Sequence, residues 1–350
     1  MSNVVRENVT VLYDRRLESR FGILFTYRYG LEYKLPKPIN FKRRRLFNIF
    51  SPLNLSNDVV TIDTDKGWGC VLRSTQMAIS QALMNLVLGP EFSVEQLEIR
   101  NRSPRNKKID ESILNLDTFE KLINGVVDLD EISAVSVILA QFYDDLNAVF
   151  SIYNFIIADY VLKTCTKFLH FGPTSAALCA SKIINDSNLP IHSIAFPDGV
   201  FHISDVREIL DDKRNLLVWV SNKKKLDRIE RECVKSMFRL SQFNGIIGGN
   251  LFNKSYYIFG TTNKRLYYND PHLYCKKAFR SLEFVDIFRD FTSRRVKSMN
   301  WRYFNSSFTL LFLFKDQDDF QDFLENTFER KSIVESFPFE FITYGDLTFN

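Results

Sequence analysis

The chain has 350 residues, an apolar fraction of 45% and a formal net charge of +4. That length suffices for one large domain or two small ones, with enough apolar side chains to fill a core. Charges of both signs are spread along it, which argues against nucleic-acid binding. The one basic cluster, Lys42-Arg43-Arg44-Arg45, reads as a solvated loop or as a contact for phosphates or anionic lipid.

Residues 1–7 carry no apolar core, so no secretory leader is expected. No uninterrupted apolar run reaches the about 18 residues of a bilayer span. The five cysteines, Cys70, Cys165, Cys179, Cys233 and Cys275, are scattered and contain no CxxC pair. Neither a zinc site nor a disulfide framework is expected, no cofactor is implied, and the pattern suits a reducing compartment. The expectation is a soluble cytoplasmic protein.

Taken in chain order, residues 1–20 are polar and peripheral. An aromatic segment follows, with Phe21, Ile23, Leu24, Phe25 and Tyr27. Residues 35–62 read as a loop, marked by Pro36, Pro38 and Pro52. A glycine-flanked turn then leads into a helix predicted from Cys70 to Leu88 and ended by Gly89-Pro90. Residues 101–109 form a polar break. Ser133–Phe142 and Leu146–Leu162 have spacings that suit packed helices. Thr174 is placed to cap a helix over Ser175–Asn185.

From about residue 190 the pattern turns to short β-branched and aromatic strands, at 191–196, 216–220, 245–248, 256–260, 266–269 and 308–314. A charged amphipathic helix is predicted over 318–329, and the tail from 336 to 350 is expected to be flexible. There is no internal repeat. A helix-rich first half and a strand-rich second half predict an α+β fold. Residues 1–335 would form a single domain, with a small auxiliary subdomain near 185–215.

Chemistry concentrates in two places. In Gly67-Trp68-Gly69-Cys70-Val71-Leu72-Arg73, a thiol sits where a helix begins. Free N–H groups and the helix dipole there favour the thiolate, which is the reactive form. Gly67 and Gly69 permit a tight turn and a close backbone approach, and Trp68 is positioned to wall a cleft. Read alone, the segment fits a nucleophile or a buried structural cysteine equally well.

The second place is Asn269-Asp270-Pro271-His272. On an extended segment, residues i and i+2 share a side, so the Asp270 carboxylate could orient the His272 ring. Pro271 between them suits a strand end. A thiol peptidase needs such a pair, an imidazole to move the proton and a third group to hold the ring. By itself, Asp-Pro-His also fits a turn with a surface histidine.

Gly67-Trp68-Gly69-Cys70 with Arg73 and Gln76, together with Asp270-Pro271-His272, resembles the autophagins, cysteine peptidases that process a GABARAP-like ubiquitin-like autophagy modifier. Further segments resemble the same family: Phe25-Thr26-Tyr27-Arg28, Phe171-Gly172-Pro173, Ile247-Gly248-Gly249 with Ser255–Gly260, and Phe314–Phe320. Together they span roughly residues 20–325. The resemblance implies a papain-like fold, with a helical half carrying the nucleophile packed on an antiparallel sheet carrying Asp and His.

It assigns Cys70 as nucleophile, His272 as base and acid, and Asp270 as orienter. The Tyr27 hydroxyl and the Cys70 backbone N–H would form the oxyanion hole. For Tyr27 the plainer alternative is a core aromatic. Trp68, Gly248 and Gly249 would line the substrate tail. Phe339 and Ile342 would belong to an aromatic-x-x-aliphatic tail motif that the modifier can accept as an added strand.

The implied activity is cleavage after the modifier's C-terminal glycine, exposing it for lipidation, and its later release from phosphatidylethanolamine. Membrane contact would come only through the substrate, and a monomer is expected. The resemblance departs at His170, where the family carries Trp, and in the loop 250–254. Two alternatives stay open, a peptidase for the UFM-type modifier and a catalytically silent scaffold.

Overall fold

A computed structural model of the chain describes residues 10–11, 22–36, 53–55, 59–90, 92, 97, 109–212, 215–250, 254–279, 281, 283–293, 297–328 and 340–342. The basic cluster at 42–45, the break at 101–108 and Phe339 lie outside them.

The described strands are β1 (Thr10–Val11), β2 (Gly22–Ile23), β3 (Tyr27–Pro36), β4 (Leu53–Leu55), β5 (Val59–Thr64), β6 (Ile191–Phe196), β7 (Val200–His202) and β8 (Asn215–Asn222). They continue with β9 (Phe243–Asn250), β10 (Ser255–Thr261), β11 (Arg265–Asn269), β12 (Cys275–Lys277), β13 (Thr292–Ser293), β14 (Lys297–Asn300), β15 (Phe304–Phe314) and β16 (Glu340–Ile342). The helices are α1 (Cys70–Leu88), α2 (Leu116–Ile123), α3 (Glu131–Ala140), α4 (Ile152–Leu162), α5 (Pro173–Asp186), α6 (Ile203–Asp211), α7 (Arg228–Met237), α8 (Phe284–Phe291) and α9 (Gln317–Phe328).

The central sheet runs β14-β11-β10-β9-β15-β8-β6, with β1 also paired to β10. Its strands are apolar on both faces, and the period of two sorts them into two cores. Leu217 and Trp219 of β8, Leu311 and Leu313 of β15, and Tyr257 and Phe259 of β10 face one core. Leu216, Val218 and Val220, Leu310 and Phe312, and Tyr256 and Ile258 face the other. Helices cover both faces, and this explains why the strands read as near-continuous apolar runs.

The first face is filled by α1, which packs on β9 and β10 and is covered in turn by α3, α4 and α5. Nearly every residue from Val71 to Asn85 is buried. A helix buried all round is a core helix, and its first residue is correspondingly fixed in space. On the second face, Ile203, Val206 and Leu210 of α6, Val234 and Met237 of α7, and Phe320 and Phe323 of α9 pack together.

A smaller sheet, β12-β3-β5-β4, stands beside the first. Its parallel β12–β3 pair sets Cys275 opposite Tyr27. The chain leaving Asp270-Pro271-His272 is thereby bound directly to the strand that carries Tyr27.

Several expectations are corrected. The main sheet is mixed, because β6 and β8 run parallel, joined through β7 and α6. The region 35–62, read as loop, contains β4 and the start of β5, antiparallel to β3. The helix expected from Leu146 begins at Ile152, because the Ser151 side chain accepts from Asn154 N–H. Thr174 does not cap α5. That helix starts at Pro173, where the Ser175 hydroxyl accepts from Gly172 N–H at 2.8 Å.

Among the described residues of 185–215, β6 lies in the main sheet and α6 packs in its second core. Within the tail, residues 340–342 form β16, parallel to β7, with Phe341 against Phe201 at 5.3 Å between ring centroids. No described helix is long and apolar enough to cross a membrane.

Candidate active site

Cys70 is the first residue of α1, capped by Gly69 with no acidic side chain in the first turn. The turn before it is built on Asp65. The Asp65 carbonyl accepts from Trp68 N–H at 3.2 Å and Gly69 N–H at 2.8 Å. The buried carboxylate lies beneath the turn, Oδ1 accepting from Arg28 N–H and Oδ2 from Arg73 Nε, both at 2.6 Å.

This arrangement explains the glycines. Gly67 has φ +90°, a conformation that other residues adopt at a cost. Gly69 is required by space, since a Cβ there would meet Asp65 Cβ at 2.7 Å and Oδ2 at 2.9 Å. The reading of Gly69 as room for a substrate therefore has a competing cause inside the protein. Trp68 is buried, and its indole N–H donates to the Thr64 carbonyl at 3.0 Å.

Asp270 and His272 are brought together differently from the extended i, i+2 arrangement read from the sequence. Pro271–Leu273 is a single 3₁₀ turn with Asp270 as its cap. Oδ1 of Asp270 accepts from His272 N–H at 2.9 Å and lies 2.7 Å from His272 Nδ1. The other oxygen, Oδ2, accepts from Lys297 Nζ at 2.8 Å. The turn packs against the start of α1, where His272 and Cys70 are hydrogen-bonded. With Nδ1 engaged by Asp270, Nε2 is the ring nitrogen left to face the sulfur.

Two further donors meet the sulfur, the Tyr27 hydroxyl and the backbone N–H of Ser255 at the start of β10. The Tyr27 ring stands edge-on to His272, at 5.4 Å between centroids and 90° between planes. Tyr256 flanks the imidazole at 5.7 Å.

The electrostatics follow from these contacts. Burial pushes the Cys70 thiol up, but hydrogen bonds from His272, Ser255 N–H and Tyr27 outweigh it and hold the thiol below its ordinary value. Burial opposes charge on His272, yet bonding to Asp270 and Cys70 raises it to about 8. Burial disfavours the Asp270 carboxylate, but His272 and Lys297 bring it down to about 2. Burial keeps the Tyr27 phenol far above its usual range, so it remains a protonated donor.

The other buried thiols move oppositely. Burial raises Cys165 and Cys233 to about 12 and raises Cys179 as well. Cys70 alone among these thiols is lowered, and it lies beside a histidine whose proton is held more tightly than usual.

Gly248 and Gly249 lie on β9 opposite Tyr256 and Ser255 of β10, the residues that meet the imidazole and the sulfur. Gly248 faces β15, where an added Cβ would lie 2.8 Å from Phe308 Cβ. An added Cβ at Gly249 would lie 2.4 Å from the Lys254 carbonyl oxygen, so close strand contact accounts for both glycines. Ile342 lies on β16 opposite His202, away from Cys70 in the fold.

Sequence reasoning did not find Lys297, Ser255 or the buried charges around Asp65. Arg73 bonds Asp65 and, through Nη2, Asp144 Oδ1 at 2.8 Å. Arg28 pairs with Asp144 at 3.4 Å and with Asp290. These charges tie β3, α1, the segment after α3, and α8 into one frame around the crevice. Charged residues inside otherwise apolar runs, such as Arg28 after Phe25-Thr26-Tyr27, were the available signal.

The sequence matches the peptidase C54 catalytic domain over residues 13–326. It is similar to "Cysteine protease 1" of Neurospora crassa, at 26% identity over 304 residues, 81% of this chain and 52% of that protein. It is also similar to a "Probable cysteine protease atg4" of Sclerotinia sclerotiorum, at 26% over 278 residues, 74% of this chain and 54% of that one. A "Probable cysteine protease ATG4" of Kluyveromyces lactis matches at 26% over 288 residues, 77% of this chain and 55% of that one. The chain thus spans about half the length of the curated relatives it matches. It belongs to the peptidase C54 family, whose catalytic domain is papain-like.

Proposed function

We propose that this protein is a cysteine peptidase that cleaves after the C-terminal glycine of a ubiquitin-like autophagy modifier of the GABARAP-like type. In this reading it acts in the cytoplasm and also frees the modifier from phosphatidylethanolamine. The observation that carries it is the Asp270–His272 pair, 2.7 Å apart, on a turn packed against the helix that begins at Cys70, with the Tyr27 ring edge-on to the imidazole.

The chemistry follows from that arrangement. The Cys70 thiolate adds to the carbonyl carbon of the glycine, and the C=O electrons move onto oxygen. That oxyanion takes up hydrogen bonds from the Tyr27 hydroxyl and the Cys70 N–H. As the tetrahedral species collapses, the C–N bond breaks and His272 Nε2–H passes its proton to the departing amine. A thioester remains. His272, now neutral, takes a proton from water as the water oxygen attacks the thioester carbonyl. Collapse expels the thiolate and restores the imidazolium, and the free glycine carboxyl loses its remaining proton to solvent. Asp270 holds the ring throughout.

A peptide amine and the ethanolamine headgroup leave by the same C–N cleavage, so one site serves both reactions. Glycine suits a site formed by backbone and rings, since it adds no side chain where the acyl group must approach. In this reading Trp68, Gly248 and Gly249 border the path of the tail. Phe339 and Ile342 offer the modifier an added strand, and this would require residues 340–342 to leave β7.

The test is incubation with C-terminally extended precursors of the autophagy modifier and of the UFM-type modifier, read by intact mass. Cleavage of the first to a glycine end by wild type, and not by Cys70→Ser, supports the reading. Cleavage of the UFM-type tail alone replaces the substrate. Binding without cleavage leaves a scaffold.

A further inference from the structure

β14 begins at Lys297, which stands opposite Tyr268 of β11 in the ladder, two residues before Asp270. Its ammonium reaches Asp270 Oδ2 at 2.8 Å, while Oδ1 is turned to His272 Nδ1 at 2.7 Å. The Asp270 side chain is 10% exposed and that of Lys297 42%. A carboxylate with one oxygen fixed by a cation cannot rotate its other oxygen away from the ring without breaking a charge-assisted bond.

We propose that Lys297 is a positioning residue for the reaction, acting through Asp270 to hold the His272 ring in line with Cys70. The inference rests on the peptidase reading above. It makes a frame of four side chains, with the cation supplied by a strand that the motif Asp270-Pro271-His272 does not contain.

The other groups facing Asp270 are His272 and the phenols of Tyr27, Tyr256 and Tyr268. Burial raises all three phenols, so they stay neutral. Lys297 is therefore the cation that balances the carboxylate beside the imidazolium. A bare charge effect would go the other way, because removing a nearby cation favours the imidazolium. The two roles differ in sign.

The test compares Lys297→Met and Lys297→Arg with wild type, in turnover of the modifier precursor and in the pH profile of Cys70 alkylation by iodoacetamide. Because the ammonium is partly exposed and screened, the expected fall in kcat for Lys297→Met is about tenfold, with KM unchanged. Lys297→Arg should recover most of it. The acid limb of the alkylation profile should move to higher pH in Lys297→Met, because a loosened Asp270 supports the imidazolium less well. In an Asp270→Ala background, Lys297→Met should change the rate by less than about twofold.

An unchanged rate, an acid limb moved to lower pH, or the same loss in the Asp270→Ala background would each overturn the proposal. Alkylation needs no substrate, so its result stands if the modifier is wrongly assigned. Full turnover by His272→Ala would instead overturn the peptidase reading itself.

Discussion

One oxygen of Asp270 holds His272 twice, at the backbone N–H and at ring Nδ1, with 2.9 and 2.7 Å separations. The first bond caps the 3₁₀ turn and the second orients the ring, so local fold and ring orientation share an atom. Asp270→Asn keeps an oxygen able to accept both bonds, although its amide then faces Lys297. Asp270→Ala loses both bonds. Turnover should fall further in the alanine variant, by about another tenfold. Equal rates for the two variants in single-turnover measurements would remove orientation as the role of Asp270.

The shifted acidities predict the pH response. His272 is raised from 6.5 to about 8. Its interactions therefore contribute fully below the unfolded value and fade as pH rises through about 8. Asp270 is lowered from 3.8 to about 2, so its contribution is present above the unfolded value and is lost as pH falls through about 2. The rate constant kcat/KM should decline above about pH 8, where the acid for the departing amine is lost, with the limb belonging to the Cys70–His272 pair as a unit. Iodoacetamide should still modify Cys70 well below pH 9, since the thiol is held down. A normal thiol titration in that assay would contradict the lowering of Cys70.

Asp144 lies between Arg28 and Arg73, both fully buried, and also accepts from Phe279 N–H at 3.2 Å. Removing it leaves two buried guanidinium groups short of their counter-charge. Asp144→Ala should lower stability by about 3–5 kcal/mol, the usual cost of breaking a buried pair from one side. Urea unfolding with an unchanged slope would measure it, and a loss under about 1 kcal/mol would show that the frame is not held by this charge.

The two glycines of the turn before Cys70 should fail for different reasons. Gly67→Ala meets nothing within 4 Å but has φ +90°, so its cost is backbone strain of about 1–2 kcal/mol. Gly69→Ala forces a Cβ against Asp65, with an overpacking cost of about 1–3 kcal/mol. It also displaces the carboxylate beneath Cys70. Gly69→Ala should lose more activity per unit of lost stability. The opposite order in paired unfolding and turnover assays would argue that Asp65 does not support the site.

The sequence was informative where chemistry needs short local signals. Gly69-Cys70 at a helix start and Asp270-Pro271-His272 at a strand end could be read without coordinates, and α1 runs over the expected Cys70–Leu88. Six strands of the central sheet, β6, β8, β9, β10, β11 and β15, were visible as apolar runs, because both faces are covered, whereas β1 and β14 were not read. Long-range pairing was not visible. Nothing local says that β12 runs parallel to β3, or that β14 brings Lys297 to Asp270, since such contacts join residues far apart in sequence. The 3₁₀ turn at Pro271–Leu273 was missed because Asp-Pro suits an extended strand end and a capped turn alike. Thr174 shows the same ambiguity, as Ser175 one residue later makes the capping bond instead.

The central claim is that the sulfur at the tip of α1, activated by His272, is the atom that attacks a glycine-ended modifier. The most direct measurement treats the folded protein with the autophagy modifier carrying a C-terminal vinyl sulfone in place of its last carboxyl, and locates the adduct by peptide mass. The account predicts one adduct, on Cys70, formed quickly by wild type, slowly by His272→Ala and not at all by Cys70→Ser. Labelling at another cysteine, or at the same rate without His272, would contradict it.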